Sequence, residues 1–454
     1  MNSKDILVLN SPLFEETNDL YDEDSLPPIW LGLIATKLKN SWHNVRLLDA
    51  VANRISLSNI LSNIAETSPD VLGLNIFTTN KSLVEKIIKG ISDEIHVIVG
   101  WLSTKNLYNE IFSWWGNKKI DVVFGDWENI INDIVCNTIK EEAKIVRLNH
   151  RFFVVDNKSN YYSHNLDNLE LDRTFFTNEP IDHPLWFKEA NLITSRGCIY
   201  NCAFCAAAQS VNKEMWIRER SQNDIIQEID SIIKSHHDIE SIRILDDLFL
   251  KNSKSISKAI EVFSKFQLKW RCMAHVMTFK DSTPEELEAL ANSGCSEVFI
   301  GIESWSPTTL KKIHKTQDVF KIKENLEKVL SAWISIKAYF IYWFPDETKE
   351  DFDLTYKLAE ELKDLAELHN TWFRTSVFQF RPYHGTELFH QIESNSEEME
   401  VNQITPNIEL TSTLWRQQFN FHSWNYSRES ADLVHEYIIK TAKLYANKST
   451  GKSH

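Results

Sequence analysis

Two series of short apolar runs, each run followed by a stretch with helical periodicity, organise most of the chain. Runs of this kind are typical of strands that are buried on both faces of a parallel sheet. The first series predicts a helix over residues 29–40 and strands over residues 5–10, 44–49, 71–77, 96–99 and 121–124. Alternating strands and helices require right-handed crossovers, so the sequence predicts an α/β fold that begins with a doubly wound parallel sheet.

A second alternating series follows residues 147–188, whose weak periodicity predicts a linker with a short hairpin. Its strand candidates are residues 190–194, 241–245, 269–274, 297–300, 336–343 and 375–380. Six units are too few to close an eight-unit barrel, so we expect a partial (β/α)6 barrel. The predicted domains are the N-terminal sheet, the linker, the partial barrel and a helical C-terminal tail, at residues 1–146, 147–188, 189–387 and 388–454.

The charge balance of the chain argues against a nucleic-acid partner. The 454 residues include 49 Lys and Arg against 64 Asp and Glu, which gives a formal net charge of -15. A surface that follows nucleic-acid phosphates would need the opposite balance. No apolar stretch reaches the roughly 18 residues of a membrane-spanning helix, and the first residues lack the profile of a signal peptide. We therefore expect no membrane association and a cytoplasmic location.

Three of the six cysteines, Cys198, Cys202 and Cys205, lie within eight positions, directly after a predicted strand. Such a cluster in a reducing compartment indicates metal binding rather than a disulfide scaffold. Three thiolates can hold three irons of a 4Fe-4S cluster and leave the fourth iron open to a substrate or cofactor. Zinc is the alternative, although no fourth ligand follows at zinc-finger spacing. Buried structural thiols are a further alternative.

The cysteine loop and the segments after it resemble the radical S-adenosylmethionine (SAM) superfamily. The matching segments are residues 194–205, 218–221, 246–249, 294–304 and 382–387, so the resemblance covers residues 189–387. It implies that the three cysteines of the loop ligate a 4Fe-4S cluster and that SAM binds the open iron. One electron then cleaves SAM to methionine and a 5′-deoxyadenosyl radical, which abstracts a hydrogen atom from an unactivated carbon.

The same resemblance implies further cofactor-binding residues in the barrel. It places Phe204 near the adenine, and Asp246, Glu303 and Ser304 around the rest of the cofactor. From the residues alone, the acidic residues and the serine could instead cap the helices that follow them. The other barrel cysteines, Cys272 and Cys295, and the nearby His275 are expected to be core residues at least as readily as catalytic ones.

The N-terminal segments at residues 5–12, 27–35, 42–49, 69–79, 99–100 and 123–128 resemble the cobalamin-binding domain that precedes many radical SAM enzymes. Ligands of such sheets gather at the carboxyl ends of the strands. The cobalamin site implied there comprises Thr78, Thr79, Gly100, Gly125 and Glu128. Taken singly, each of these turns could also be an ordinary strand-to-helix connection. The chain has no Asp-x-His-x-x-Gly motif, so a corrinoid would lack a histidine ligand of that kind.

Several glycines that are usual in the family are replaced by larger residues here. In the N-terminal domain the replacements are Trp101 and Trp127, and in the barrel they are Trp305, Trp343 and Asp346. An indole can fill the space that a corrin ring needs, or it can stack against the ring. The resemblance alone does not decide between these two roles.

The resemblance implies an enzyme that modifies an unactivated carbon of a specialised metabolite or peptide, as in natural product biosynthesis. Cobalamin-dependent methyl transfer is the first expectation, with reduced flavodoxin or ferredoxin as the electron donor. If the N-terminal domain is degenerate and binds no cobalamin, the same radical would drive dehydration, epimerisation, rearrangement or oxidation. An iron-sulfur electron-transfer or regulatory protein is the alternative of another class. A barrel of about 200 residues argues against it, because an electron carrier needs no substrate cavity.

Overall fold

The structure is a computed structural model that describes residues 3–15, 26–114, 117–177, 179–183, 187–315, 318–395, 405–406, 421–422 and 426–446. The N-terminal half contains the strands β1 (Asp5–Asn10), β2 (Asn44–Asp49), β3 (Val71–Asn75), β4 (His96–Gly100), β5 (Ile120–Gly125), β6 (Ile145–Arg147) and β7 (His150–Val155). Its helices are α1 (Ile29–Asn40), α2 (Leu57–Thr67), α3 (Lys81–Gly90), α4 (Thr104–Ser113) and α5 (Trp127–Cys136).

These strands form one sheet in the order β2-β1-β3-β4-β5-β7-β6, in which only β6 runs antiparallel to its neighbour. Helices cover both faces, and each face buries its own hydrophobic core. The central strands are buried along nearly their whole length because apolar side chains point to both sides. The predicted doubly wound parallel sheet is confirmed.

The sheet continues beyond residue 146, where the sequence predicts a linker. Strand β7 pairs in parallel with β5 over its full length, from His150 to Val155. Its side chains Phe152, Phe153 and Val155 enter the cores on the two faces of the sheet. A domain boundary at residue 146 would cut the β6–β7 hairpin, so the N-terminal sheet ends at Val155 instead.

The second half begins with β8 (Ile181–His183), β9 (Phe187–Leu192), β10 (Ser195–Arg196) and β11 (Arg218–Glu219). Its longer strands are β12 (Ser241–Ile244), β13 (Lys269–Ala274), β14 (Cys295–Glu303), β15 (Ser335–Tyr342) and β16 (Phe373–Gln379). The helices are α6 (Gln222–Ser235), α7 (Ser253–Phe263), α8 (Pro284–Asn292), α9 (Pro307–Lys312), α10 (Val319–Ser331), α11 (Lys349–Leu368), α12 (Glu387–Asn395) and α13 (Ala431–Ala442). The short strands β17 (Thr405–Pro406), β18 (Phe421–His422) and β19 (Tyr445–Ala446) complete the described strands.

Six parallel strands, β9 and β12 to β16, form the predicted partial barrel, and the antiparallel strands β8 and β19 lie at its two edges. Arg271 pairs with Glu189 at 2.6 Å and with Glu297 at 3.2 Å, and Arg374 also pairs with Glu297 at 2.6 Å. The neighbouring residues along these strands lie in the core beneath the helices. Because successive side chains alternate, this buried ion-pair network faces the barrel interior.

The C-terminal helix α13 lies within the region predicted to be helical and packs against the barrel. Tyr437 and Ile438 are buried there, and Thr441 Oγ1 lies 2.8 Å from the Tyr342 hydroxyl. The last part of the predicted helical tail, residues 447–454, lies outside the described residues. Among the helices that the structure describes, none combines the length and the apolar character needed to cross a bilayer.

Candidate active site

The three predicted ligand cysteines lie on a loop at the carboxyl end of β9, and all three are half-buried. The backbone of this loop is bonded to distant parts of the barrel. Ala203 N donates to Ile313 O at the end of α9, and Ala203 O accepts from Leu388 N in α12. A loop that is held at its centre presents Cys198, Cys202 and Cys205 in a defined arrangement.

Burial raises the pKa of all three thiols, and that of Cys205 to about 12. Thiols in such a setting become ligands when a metal supplies positive charge, since the thiolate is the form that binds metals. Three half-buried thiols on one short loop fit a cluster that needs three protein ligands. In the described part of the chain, no group of three or more His, Cys, Asp or Glu side chains is arranged to hold a metal ion as the side chains stand.

Asp246 is buried, and its hydrogen bonds hold the chain just before the cysteine loop. Its Oδ1 accepts the Thr194 N–H at 2.7 Å, and its Oδ2 accepts the Thr194 and Ser195 hydroxyls at 2.5 and 2.7 Å. Asp247 accepts the Gly197 N–H at 3.2 Å. Neither aspartate caps a helix, because α7 begins at a cap formed by Asn252. Both carboxylate oxygens of Asp246 thus hold the chain that leads into the loop.

Glu303 ends β14 at the carboxyl edge of the barrel and pairs with Lys315. The Glu303 Oε1 and Lys315 Nζ atoms lie 2.9 Å apart, and both side chains are 9% exposed. Glu303 adopts a φ of 68°, in the left-handed region that side chains rarely occupy. The helix-cap alternative is wrong for this residue, since Ser306 caps α9. The sequence analysis missed Lys315, because nothing in a sequence places a lysine twelve positions downstream beside a chosen glutamate.

Ser304 lies in a buried polar network rather than on an open face. Its Oγ lies 3.2 Å from Thr355 Oγ1 and 3.5 Å from Glu347 Oε1. Glu347 also accepts the backbone N–H groups of Trp343 and Phe344 at 2.9 Å. Burial raises the pKa of Glu347 to about 8. This network joins the carboxyl ends of β14 and β15, and it supports the backbone beside Glu303.

Aromatic side chains flank the cysteine loop on the barrel side. Phe204 is partly buried and meets Phe344 edge to face, with ring centroids 5.5 Å apart. His275 stacks on Tyr200 with centroids 3.9 Å apart. Burial and the charge of Lys315 lower the pKa of His275 to about 3, so its imidazole is neutral. Cys272 and Cys295 are buried in the core beneath the helices and do not face the loop.

In the N-terminal domain, the turn after β3 contacts the barrel. Thr78 Oγ1 lies 2.9 Å from His384 Nδ1 and accepts the His384 backbone N–H at 3.2 Å. His384 follows β16, so this turn joins the two domains. Thr79 is half-buried in the same turn. Thr78, which the resemblance implies as a cobalamin contact, therefore already has a partner in the protein.

A second interdomain contact is a charge cluster at the carboxyl end of β5. Arg196, two residues before the first cysteine, pairs with Asp126 at 2.7 Å and with Glu128 at 2.6 Å. Arg218 also pairs with Asp126 and stacks over Tyr162 at 4.2 Å. Although burial opposes it, the two guanidinium groups lower the pKa of Asp126. The cluster links the edge of the N-terminal sheet directly to the cysteine loop.

The two glycines predicted to face a corrin ring are constrained by their own domain. A β-carbon on Gly100 would overlap the Trp127 indole, and one on Gly125 would overlap the Val155 carbonyl. Gly125 also has a φ of +98°, which favours glycine. A larger residue at either position would therefore disturb the sheet itself. The glycines are explained by local packing without any ligand.

A cavity of about 150 Å³ lies between this edge and the cysteine loop. Four tryptophans, Arg196 and Cys198 contribute to its wall; the tryptophans are Trp30, Trp101, Trp127 and Trp216. Trp101 meets Trp30 and Phe77 edge to face and has a φ of 140°. A cavity of this volume accommodates a ring of the size of benzene. A ligand bound in this cavity would therefore meet several indole rings, including that of Trp101.

One protein-family model matches the segment that contains the cysteine loop. Residues 192–359 match the Radical SAM superfamily. The matched range begins at the end of β9 and includes the cysteine loop, Glu303 and Lys315. An uncharacterized methyltransferase of Pyrococcus horikoshii is 27% identical over 392 residues, which cover 82% of this chain and 79% of the relative.

Another relative matches most of the chain, and two solved structures share its fold over nearly its whole length. The anaerobic magnesium-protoporphyrin IX monomethyl ester cyclase of Cereibacter sphaeroides is 21% identical, and the match covers 78% of this chain and 60% of the cyclase. The cobalamin-dependent SAM radical enzyme OxsB matches with a TM-score of 0.61 and 17% identity, over 94% of this chain and 65% of OxsB. The radical SAM methyltransferase TsrM from Kitasatospora setae matches with a TM-score of 0.61 and 15% identity, over 98% and 91%. At these identities the likeness of the structures establishes the fold.

Proposed function

We propose that this chain, which is a radical SAM enzyme, removes a hydrogen atom from an unactivated carbon of a small molecule or peptide, for example a specialised metabolite. The observation that carries the proposal is the loop of three half-buried thiols at the carboxyl end of β9, opposite the buried Glu303–Lys315 pair. The carboxyl ends of parallel strands are where such folds bind ligands. An electron-transfer protein would not need a buried ion pair such as Glu303–Lys315 near the loop.

The roles of this chain's own residues follow from their contacts. When bound, the cluster and SAM supply the electron and the 5′-deoxyadenosyl radical. Cys198, Cys202 and Cys205 hold the cluster, and the hydrogen bonds of Asp246 fix the chain that leads into their loop. Phe204 offers an aromatic surface beside the loop, and Glu303 offers a carboxylate that can accept hydrogen bonds from the cofactor. We propose reduced flavodoxin or ferredoxin as the electron donor.

Cobalamin-dependent methyl transfer is the finer proposal within this class. It is supported by the methyltransferase names of relatives and by the likeness of the fold to OxsB and TsrM over nearly the whole chain. The place available for a corrinoid is the tryptophan-lined cavity between the domains. We propose that a corrinoid binds there, and we assign it no step in the reaction.

A second candidate is cobalamin-independent radical chemistry with a degenerate N-terminal domain. The residues in the wall of that cavity favour it. Trp101 and Trp127 lie in its wall, and Arg196, which also lies in the wall, pairs with Asp126 and Glu128. These ion pairs join the two domains through the protein's own side chains. Dehydration, epimerisation, rearrangement or oxidation would then be the outcome. Epimerisation lacks an evident hydrogen donor among the described cysteines outside the loop, since Cys272 and Cys295 are buried away from it.

The first experiment tests the shared chemistry. The protein is reconstituted anaerobically with iron and sulfide, reduced with dithionite and incubated with SAM. We expect a 4Fe-4S absorption spectrum and the formation of 5′-deoxyadenosine. Alanine at Cys198, Cys202 and Cys205 together should abolish both, whereas Cys136→Ala, which removes a half-buried thiol outside the loop, should leave both intact. A triple variant that still cleaves SAM would overturn the proposal.

The second experiment separates the two candidates. Equilibrium dialysis with hydroxocobalamin measures whether the protein retains a corrinoid, and product analysis then asks whether S-adenosylhomocysteine accompanies 5′-deoxyadenosine. Methyl transfer requires both products and a bound corrinoid. Formation of 5′-deoxyadenosine alone by protein that retains no corrinoid would support the cobalamin-independent candidate.

A further inference from the structure

The guanidinium group of Arg196 is only partly used by the contacts described so far. Its Nη1 atom lies 2.7 Å from Asp126 Oδ1 and 2.6 Å from Glu128 Oε1. Its Nε and Nη2 atoms are shielded from solvent and have no hydrogen-bond partner among the described residues. A buried N–H group without a partner is unfavourable, so the protein has left two donors that a ligand can satisfy.

These two nitrogens form one edge of the guanidinium plane. The plane lies over Trp30, with the Arg196 Cζ atom 4.5 Å from the ring centroid, and Nη1 is held by the two carboxylates. The side chain is thus fixed on one face and at one end. Two parallel N–H groups in a rigid fork match the two oxygens of a carboxylate or a phosphate. The unused edge of Arg196 therefore has the shape of an oxyanion site.

This edge belongs to a side chain in the wall of the cavity between the domains. The rest of the wall is rich in aromatic rings, because four tryptophans contribute to it. Indoles pack well against other flat rings, and a cavity of about 150 Å³ accommodates a ring of the size of benzene. The wall thus combines surfaces for an aromatic ring with one fork for an oxyanion.

The charges of the wall are compatible with an anion at this edge. Arg196 and Arg218 stand there against Asp126, Glu128 and Asp247. Both oxygens of Asp126 accept hydrogen bonds from the two arginines, and Asp247 accepts a backbone N–H just before the first cysteine. Burial raises the pKa of Glu128 although Arg196 opposes the increase, which reduces the negative charge beside the edge.

We propose that the cavity binds an aromatic ring that carries a carboxylate or a phosphate, with the oxyanion on the Nε–Nη2 edge of Arg196 and the ring among the tryptophans. This inference rests on the proposed function and deepens it, because the cavity also borders Cys198 and hence the proposed site of radical formation. Two sources have this chemistry. One is an aromatic acid as the substrate, and the other is the nucleotide of a corrinoid, which joins a benzimidazole to the corrin through a phosphate.

The first test compares two probes that differ only in the carboxylate, phenylacetate and toluene. Cluster-loaded protein is saturated with SAM, so that neither probe takes the place of SAM, and each Kd is measured by titration calorimetry. We expect phenylacetate to bind the wild type about tenfold to hundredfold more tightly, the range for hydrogen bonds to a charged group. Arg196→Gln should abolish this preference. Arg218→Gln is the matched control, because Arg218 also pairs with Asp126 but each of its nitrogens already has a partner in the protein; it should keep the preference.

A second comparison identifies the source of the oxyanion. Hydroxocobalamin carries the nucleotide and its phosphate, whereas dicyanocobinamide lacks both. If Arg196→Gln weakens the binding of hydroxocobalamin more than that of cobinamide, the corrinoid nucleotide is the occupant. If the variant affects the two corrinoids alike and still loses the preference for phenylacetate, the occupant is an aromatic acid.

Equal Kd values for phenylacetate and toluene in the wild type, or a preference that survives in Arg196→Gln, would overturn the inference. A preference lost equally in Arg196→Gln and Arg218→Gln would also overturn it, since attraction would then come from the net charge of the cluster. If Arg196→Gln does not fold, Arg196→Lys decides, because it keeps the charge beside Asp126 and Glu128 without the fork: it should lower the preference, and an unchanged preference overturns the inference. Wild-type protein that shows the preference but forms no 5′-deoxyadenosine would refute the proposed function and leave the assignment of the cavity standing.

Discussion

Trp101→Gly tests whether the indole at the end of β4 controls access to the cavity between the domains. Trp101 follows Gly100 directly and has a φ of 140°, in a region that only glycine occupies freely. Its ring contributes to the cavity wall together with three other tryptophans. Glycine at this position would relieve the backbone and remove one indole from the wall. We therefore expect the variant to bind hydroxocobalamin at least about tenfold more tightly than the wild type, a difference of roughly 1.4 kcal/mol.

The stability of this variant can be worked out from the same contacts. Relief of the backbone strain contributes about 1–3 kcal/mol. The loss of the edge-to-face contacts with Trp30 and Phe77 costs about 0.5–1.5 kcal/mol each, and the greater freedom of glycine in the unfolded chain costs about 0.5–1 kcal/mol. The lost burial of the half-buried indole costs about 1–3 kcal/mol more, so we expect a net loss of stability and a lower melting temperature. Dialysis is therefore carried out well below that melting temperature, so that a change in cobalamin binding reports on the cavity rather than on unfolding.

Equilibrium dialysis with hydroxocobalamin, followed by an absorption spectrum of the retained protein, measures the effect. Trp333→Gly is the matched control, because Trp333 also has a positive φ, of 60°, but is 65% exposed and lies after α10, away from the cavity. It should leave cobalamin binding unchanged. If Trp101→Gly binds no more cobalamin than the wild type, or loses a corrinoid that the wild type retains, the indole does not block the site and our reasoning about the cavity is refuted.

Three further predictions concern the barrel and the sheet edge. Glu303→Ala should weaken SAM binding roughly tenfold or more in equilibrium dialysis, and Glu303→Gln should weaken it less. The cap of α9 is Ser306, so neither change removes a helix cap. Unchanged affinity in the alanine variant would mean that Glu303 does not contact the cofactor. Gly125→Ala should lower the free energy of unfolding by about 1–3 kcal/mol, measured by urea denaturation, since its φ is +98° and its β-carbon would meet a backbone carbonyl of β7. Gly73→Ala is the control, because a β-carbon at Gly73 would have only ordinary van der Waals contacts. An equal loss of unfolding free energy in the two variants would contradict the strain argument. Burial raises the pKa of Glu347 from 4.5 to about 8, so the folded state keeps a proton that the unfolded state releases, and stability should fall as pH rises between these values. Glu347→Gln should flatten that fall in melting-temperature scans, and an unchanged slope would show that Glu347 titrates at its ordinary pKa.

Much of the architecture could be predicted because it depends on local patterns. Every predicted strand overlaps an observed one, and the ranges for β1, α1, β2 and β13 agree at both ends. Buried parallel strands need continuous apolar runs, and such runs are visible in a single sequence. The cysteine loop could be recognised for the same reason, since its three ligands come from one short segment. The boundary at residue 146 was wrong because whether β7 joins the sheet depends on a partner strand, β5, and not on its own residues.

The roles of individual side chains depended on distant partners, so they required the tertiary structure. Asp246 and Ser304 were expected at the cofactor, but each lies in a buried network with residues from other strands and helices. Trp101 could be recognised as a departure from glycine, whereas its positive φ and its place in the cavity wall could not. Lys315 gave no signal at all.

The sequence by itself determined the order of the elements, the two-domain arrangement and the three-thiol loop, because each is encoded by residues close together in the chain. Only the tertiary structure decided which charges are neutralised and which remain available. Arg196 pairs with Asp126 and Glu128 from the other domain, and Lys315 pairs with Glu303 and donates to the Gly301 carbonyl. The physical reason is that the free energy of a buried charge depends on the groups within a few ångströms of it, and folding brings those groups from remote parts of the chain.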